Sequence, residues 1–311
     1  MIGAVDIGGT KIAAGVVDAS GRVLAREECA TDVSGGFDRA MQRVVEMLTR
    51  GSKESGVKLQ GIGIGCTGPV DPVTGLLGNV CTLPGWEGSN PVQRLSADLD
   101  LPAAVENDAD AAALAEAAWG VKKGTARLIC ITVGTGIGGG IILDGKVYRG
   151  ADHSHPELGH HVIEASGPIC SCGARGCWEA LASGPSMVEW IKAAVPPEYQ
   201  LQDLTAREIC TRARAGDPWA LRSVEREAYY LGVGLANIVS TFVPDIILLG
   251  GSVMKSANLF LDGIHRVIRQ NCRLVPFERA EISVASLGPD VGLIGAARVW
   301  YQRFQLSGER L

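Results

Sequence analysis

Apolar and polar positions alternate in short runs at the start of the chain, punctuated by glycine. Ile2 to Ile7, Ile12 to Val17 and Val23 to Arg26 read as three strands of an antiparallel meander, joined at Gly8-Gly9 and at Asp18 to Gly21. Met41, Val44, Val45 and Leu48 then recur at helical spacing, which predicts a helix. Leu59 to Gly65 alternates glycine with Ile62 and Ile64, the pattern of a buried strand whose small residues let another backbone approach. Strands mixed with helices in this order predict an α/β fold.

The same plan returns near Leu128. A strand (Leu128 to Val133), a glycine turn (Gly134 to Gly139), a strand (Gly140 to Leu143), an Asp144-Gly145 turn and a strand (Lys146 to Tyr148) repeat the architecture of the N-terminus without repeating its sequence. Two similar lobes with a cleft between them are expected: an N-terminal α/β lobe over 1–118 with the final helix, 292–311, packing back on it, and a larger lobe over 119–291. That lobe reads as helix-rich. Asp217-Pro218 opens a helix in which Leu221, Val224, Ala228, Leu231, Leu235, Ile238 and Phe242 recur by three and four, and Pro244-Asp245 closes it. An apolar strand (Ile246 to Leu249), Gly250-Gly251-Ser252, a helix around Leu259 to Ile268 and a helical pattern over Gly292 to Phe304 complete the chain.

Composition narrows the class. With 46% hydrophobic and 20% charged residues and a net charge of −5, the chain has no basic excess to hold nucleic acid or an acidic membrane. No leader and no spanning apolar run is read from it, and a cytoplasmic location is expected. Nine cysteines in 311 residues are sparse for a disulfide scaffold. Six of them, Cys29, Cys66, Cys81, Cys130, Cys210 and Cys272, stand singly and read as small buried hydrophobes.

The glycine turns suit a phosphate ligand, because backbone N–H groups reach it only where no Cβ intervenes. Asp6-Ile7-Gly8-Gly9-Thr10-Lys11 adds a carboxylate, a hydroxyl and an ammonium to such a turn. Gly134 to Gly139 formally matches the dinucleotide fingerprint, but it runs into a strand where the fingerprint requires a helix. Gly140 to Lys146 fails as a P-loop because Val147 stands where Ser or Thr is needed.

Cys170, Cys172 and Cys177 crowd together downstream of Glu157-Leu158-Gly159-His160, and Glu179 follows. One imidazole and three thiols match the donor set of a closed structural zinc site, with chance clustering of buried cysteines as the alternative. Glu106-Asn107-Asp108-Ala109-Asp110 joins an apolar strand to an alanine-rich helix. Asp108 there could cap the helix or accept the proton of an attacking hydroxyl.

Two glycine hairpins and a late Gly-Gly resemble the actin/hexokinase-like ATPase superfamily, and E-x-G-H-x₉-C-x-C-G-x₂-G-C-x-E resembles the signature of the zinc-bearing ROK sugar kinases. The resemblance implies a two-lobed actin-like (ribonuclease H-like) ATPase fold and ATP-dependent phosphorylation of a hexose. Glucose, giving glucose 6-phosphate, comes first. N-acetylmannosamine, another N-acetylhexosamine or fructose is the alternative, and a sugar-sensing regulator is the non-enzymatic one. It implies Asp108 as base and Gly68, Asn107, Asp108, Glu157, His160 and Glu179 as sugar contacts. Thr67 to Pro69 and Asn79 to Trp86 fall where the first lobe touches sugar. Asp6, Gly8, Gly9, Thr10 and Lys11, with Gly134, Thr135 and Gly136 and with Gly250 and Gly251, would hold ATP and Mg²⁺. His160, Cys170, Cys172 and Cys177 would hold a structural Zn²⁺ that organises the sugar site. A homodimer or homotetramer is the family habit. The family's repressors carry a DNA-reading domain ahead of the first strand, and a first strand at residue 2 leads us to expect none. His155-Pro156 and Asp110 depart from the family pattern.

Overall fold

The computed structural model describes residues 1–196, 199 and 204–304. Residues 305–311 of the expected final helix therefore lie outside the described residues. The chain divides into two compact units: Met1–Ala126, Gly140–Pro156 and Ala285 onward form the first, and Arg127–Gly139 with Glu157–Val284 the second. Residues 140–156, read from the sequence as part of the second lobe, belong to the first unit. Gly140 lies against Ala109, and His155 bonds Asp110.

The first unit is built on a sheet of order β3-β2-β1-β4-β5, formed by β1 (Ile2–Ile7), β2 (Lys11–Val17), β3 (Val23–Ala30), β4 (Gly61–Cys66) and β5 (Ala103–Asn107). The first three strands are the expected antiparallel meander, and β4 and β5 join β1 in parallel. Side chains alternate between the two faces of a strand. On one face Val5, Ile7, Ile12, Ile62, Ile64 and Val105 pack with α1 (Gly36–Ser55) and α2 (Pro91–Leu99). On the other, Ile2, Ala4, Ala13 and Val17 pack with Leu293, Ala296, Ala297, Trp300 and Tyr301 of α9 (Val291–Phe304), beside α3 (Asp108–Trp119).

The alternation explains the Gly-Ile-Gly-Ile-Gly-Cys run of β4. Ile62, Ile64 and Cys66 fill the α1 face, while Gly61 meets the Trp300 ring, Gly63 the carbonyl of Ala296, and Gly65 Ala111 and Asp108. The close approach expected from the sequence is that of two helices onto one strand.

A second sheet has the order β10-β9-β6-β7-β8, from β6 (Arg127–Val133), β7 (Ile137–Leu143), β8 (Lys146–Val147), β9 (Ile246–Gly250) and β10 (Glu281–Val284). Read from its other edge it repeats the first: a three-strand run followed by two strands parallel to its first member. The duplication is one of topology. One boundary differs from the sequence reading, because β7 begins at Ile137 and the turn is confined to Gly134–Gly136. Gly138 to Gly140 belong to the strand, where Gly140 leaves room for the Ala109 carbonyl.

The helices of the second unit are α4 (Trp178–Ala182), α5 (Gly184–Ala194), α6 (Ala206–Arg214), α7 (Pro218–Phe242) and α8 (Leu261–Asn271). Asp217 caps α7 by accepting from the N–H groups of Trp219 and Ala220. Val224, Ala228, Leu231, Leu235 and Ile238 are buried as expected, but Leu221 is exposed, since it lies about 100° round the helix from the buried Ala220. Cys81 is exposed as well, in a loop and not an element, whereas Cys66, Cys130, Cys210 and Cys272 are buried and Cys29 partly so. Among the described residues no helix is long and apolar enough to cross a membrane.

Candidate active site

In the first unit, strand register collects the polar groups. Asp6, Gly65 and Glu106 stand side by side on three parallel strands, one residue from their C-terminal ends. Asp6 shares the face of Ile2 and Ala4, so it points toward α9. Gly292, in the first turn of that helix, lies directly against its carboxylate, where any Cβ would collide. A Cβ on Gly65 would lie 4.0 Å from Asp6 Oδ1 and 3.8 Å from the Asp108 Cα, so these two residues flank the bare backbone of β4. Burial raises the Asp6 carboxyl to about 6; the Asp108 charge adds to the rise, and Lys11 opposes it. A carboxylate held this way gains most from a cation.

Helix α3 is capped by Asn107, whose Oδ1 accepts from the N–H groups of Ala109 (2.9 Å) and Asp110 (3.3 Å). The capping role open to Asp108 on the sequence therefore falls to its neighbour. Asp108 is the first helical residue, and one of its oxygens accepts from the Ala109 N–H at 2.8 Å. Gly68 lies against Asn107 Nδ2, and Gly9 against Thr82, so the first glycine turn and both loop segments read as sugar-facing belong to this one unit. Lys11 is exposed and pairs with Glu28 at 3.0 Å.

In the second unit, Gly134 and Gly136 close a tight turn through a 2.9 Å backbone bond. Gly134 faces Ser252, and Gly251, at φ 91°, lies over the backbone of Val133, so the two glycine turns read as nucleotide-facing adjoin. Glu179, in the first turn of α4, accepts from the Ile137 N–H at 2.9 Å beside Gly136. This carboxylate is thus tied to the glycine turn, a link that spacing alone does not reveal. Glu157 is exposed.

The ligand atoms of His160, Cys170, Cys172 and Cys177 all lie within 4.8 Å of one another. Cys170 Sγ is 3.5 Å from His160 Nδ1, and Cys172 Sγ is 3.6 Å from Cys177 Sγ. Metal bonds of about 2.0–2.3 Å in a tetrahedron imply ligand separations of about 3.5–3.8 Å, so the donor set fits Zn²⁺. Burial pushes the Cys177 thiol up to about 12, a penalty that a cation in place of the proton would offset. The hairpin is set by an antiparallel bridge between Ile169 and Arg175 and by Gly176, which passes under the Glu164 carbonyl where a Cβ could not. Behind it Trp178 is fully buried, its indole N–H donating to the Tyr230 carbonyl at 3.0 Å.

The ROK family model covers residues 2–303. The chain belongs to the ROK family. It is 34% identical to a glucokinase of Streptomyces coelicolor, over 94% of this chain and 95% of that protein. The structure of a ROK hexokinase from Thermus thermophilus superposes with a TM-score of 0.81 at 35% identity, covering 97% of this chain and 98% of that one. That of a ROK family glucokinase from Streptomyces griseus, in complex with glucose and AMPPNP, gives 0.81 and 35% over 95% and 97%. The fold is thus that of the ROK hexokinases, the actin-like ATPase fold.

Two acid–base side-chain pairs of this ROK protein escape a motif search. Glu106 pairs with Arg149, and Asp110 with His155 at 2.8 Å. Their signal in the sequence was indirect: Asp110 and His155 both depart from the family pattern, and the structure joins the two departures.

Proposed function

We propose that this protein is an ATP-dependent hexose kinase that converts glucose to glucose 6-phosphate. The observation that carries the reading is the placement of Asp6 and Asp108 on either side of the glycine-bare end of β4, in a chain with the ROK glycine turns. Asp108 accepts the proton of the sugar hydroxyl as its oxygen bonds to the γ-phosphorus. The bond from that phosphorus to the bridging oxygen breaks, and ADP leaves. Asp6 would hold the Mg²⁺ that arrives with ATP, and that ion would supply charge neutralisation on the phosphates. In this reading Gly8, Gly9 and Thr10 of the first turn, and Gly134, Thr135 and Gly136 of the second, line those phosphates, with Gly250 and Gly251 under the nucleotide; the Gly8 and Gly134 N–H groups already donate within their own turns. Lys11 belongs to the same proposal, at its edge, because it is engaged with Glu28.

Asn107, Gly68, Glu157, His160 and Glu179 hold the sugar in this reading. Zn²⁺ on Cys170, Cys172, Cys177 and His160 Nδ1 would fix the imidazole tautomer and leave Nε2 for a hydroxyl. A cytoplasmic location, a homodimeric or homotetrameric state and a division into sugar-kinase lobes belong to the same proposal.

The test is ATP consumption with Mg²⁺ against glucose, fructose, mannose, N-acetylglucosamine and N-acetylmannosamine, on the wild type and on Asp108→Asn. Turnover of glucose that falls by at least about a thousandfold in the variant is expected. Faster turnover of an N-acetylhexosamine would replace glucose as substrate. Sugar binding without turnover would replace the kinase by a sugar sensor.

A further inference from the structure

The Asn107-Asp108 dipeptide is bracketed by two buried carboxylates, Glu106 at 4% exposure and Asp110 at 1%. Each is paired with a basic side chain from the same short strap. Arg149 Nη2 meets Glu106 Oε2, and His155 Nδ1 lies 2.8 Å from Asp110 Oδ2. All four residues belong to the first unit. Both brackets also bond Asn107 itself. The Asn107 N–H donates to Glu106 Oε1 at 3.1 Å, and the Asp110 N–H donates to Asn107 Oδ1.

We propose that these two pairs form a clamp, in which the strap 149–155 fixes the Asn107-Asp108 dipeptide, and that Asp110 and His155 are positioning residues for phosphoryl transfer. The inference rests on the kinase reading above. Stability alone is a poor reason for the arrangement. Burying two acids and their partners is usually no better than apolar packing of the same volume. Asp110 Oδ1 is moreover buried without a hydrogen-bond partner among the described residues, which costs free energy.

Geometry supplies the better reason. A turn gripped only by helix capping can rock about the helix start, whereas one gripped on both flanks from a single strap cannot. The strap runs on through Pro156, which restricts His155 to extended backbone, into Glu157.

The experiment uses the full chain and the variants His155→Ala, Asp110→Ala, the two combined, and the conservative Asp110→Asn, which keeps an acceptor for the imidazole. kcat and the separate KM values for glucose and MgATP are measured below the melting temperature of every variant. Amide exchange of 103–112 and 149–157 is followed in parallel. Each alanine variant is expected to lose about tenfold in kcat and to raise the glucose KM, with the MgATP KM unchanged. The combined variant should be no worse than either, and Asp110→Asn should recover most of the loss. Exchange should quicken in both segments at once. Should the alanine variants fail to fold, Arg149→Lys at the other jaw is expected to lower kcat about threefold at unchanged MgATP KM. Losses that multiply in the combined variant, or lowered melting temperatures with kcat and both KM values intact, would overturn the clamp. If the wild type itself phosphorylates no sugar, the kinase reading fails instead, and linked exchange of the two segments still decides whether the clamp exists.

Discussion

Two buried acids make opposite predictions because only one has a use for its charge. Burial raises Asp6 to about 6, so a proton competes with the metal-bound nucleotide there. The KM for MgATP should rise as pH falls through about 6, while Asp6→Asn should lose at least about a hundredfold in kcat/KM at pH 7.5. Glu227, on α7, is fully buried, neither carboxylate oxygen has a hydrogen-bond partner among the described residues, and desolvation holds its carboxyl well above the usual range. A raised folded value means that the unfolded chain releases this proton first. Stability is then lost as pH climbs from the unfolded toward the folded value. Glu227→Gln should therefore stabilise by about 1–3 kcal/mol at pH 7.5, and the gain should fade toward pH 4.5 in urea titrations. Glu227 lies three residues after Val224 and four before Leu231, so spacing puts it at the flank of the buried face of α7, but spacing does not reveal that its carboxylate lacks a hydrogen-bond partner there among the described residues. Asp6 stands out in the sequence as a carboxylate near a strand end, two residues before Gly8-Gly9, whereas Asp108 reads as a base only through the family resemblance, because its residues alone also suit a helix cap.

At the scale of elements, strands were read better than turns. The meanders and the long helix follow from periodicity, but the second glycine turn was read as six residues when its last three belong to β7. Glycine signals a turn and a close contact alike, and only the partner backbone tells them apart. β4 gives a sharp test. Gly63→Ala would drive a methyl group into the Ala296 carbonyl, and a loss of about 2–3 kcal/mol in urea unfolding is expected, because backbone on both sides must give. The Cys/His hairpin offers a second. Its cysteines were legible as a cluster, and the sequence could not say which imidazole nitrogen faces them; the structure turns Nδ1 toward Cys170. Prolonged chelation should release about one Zn²⁺ per chain, raise the glucose KM more than the MgATP KM, and be reversed by adding Zn²⁺ back.

At the scale of the whole molecule, the duplication was legible as a recurrence of strand, glycine turn and hairpin, and the two sheets carry it through five strands each. The interleaving of the units was not legible, because it depends on contacts made far along the chain, such as those of 140–156 with α3. A protein with separate sugar and nucleotide contacts should be stabilised by each ligand: glucose or an unreactive ATP analogue with Mg²⁺, at about a hundred times its Kd, should add about 2.7 kcal/mol. The expected melting shifts should be absent for galactitol, an open-chain polyol with no ring to place.

The packing of α9 on the opening strands carries a consequence for synthesis. Ile2, Ala4, Ala13 and Val17 leave the ribosome well before the helix that covers them, Val291–Phe304, is made. At about 5–20 residues per second, that apolar face stays uncovered for roughly 15–60 s, while the whole second unit is being translated. Chains released early would carry every residue proposed for the chemistry, yet leave Asp6 without the helix turn that backs it.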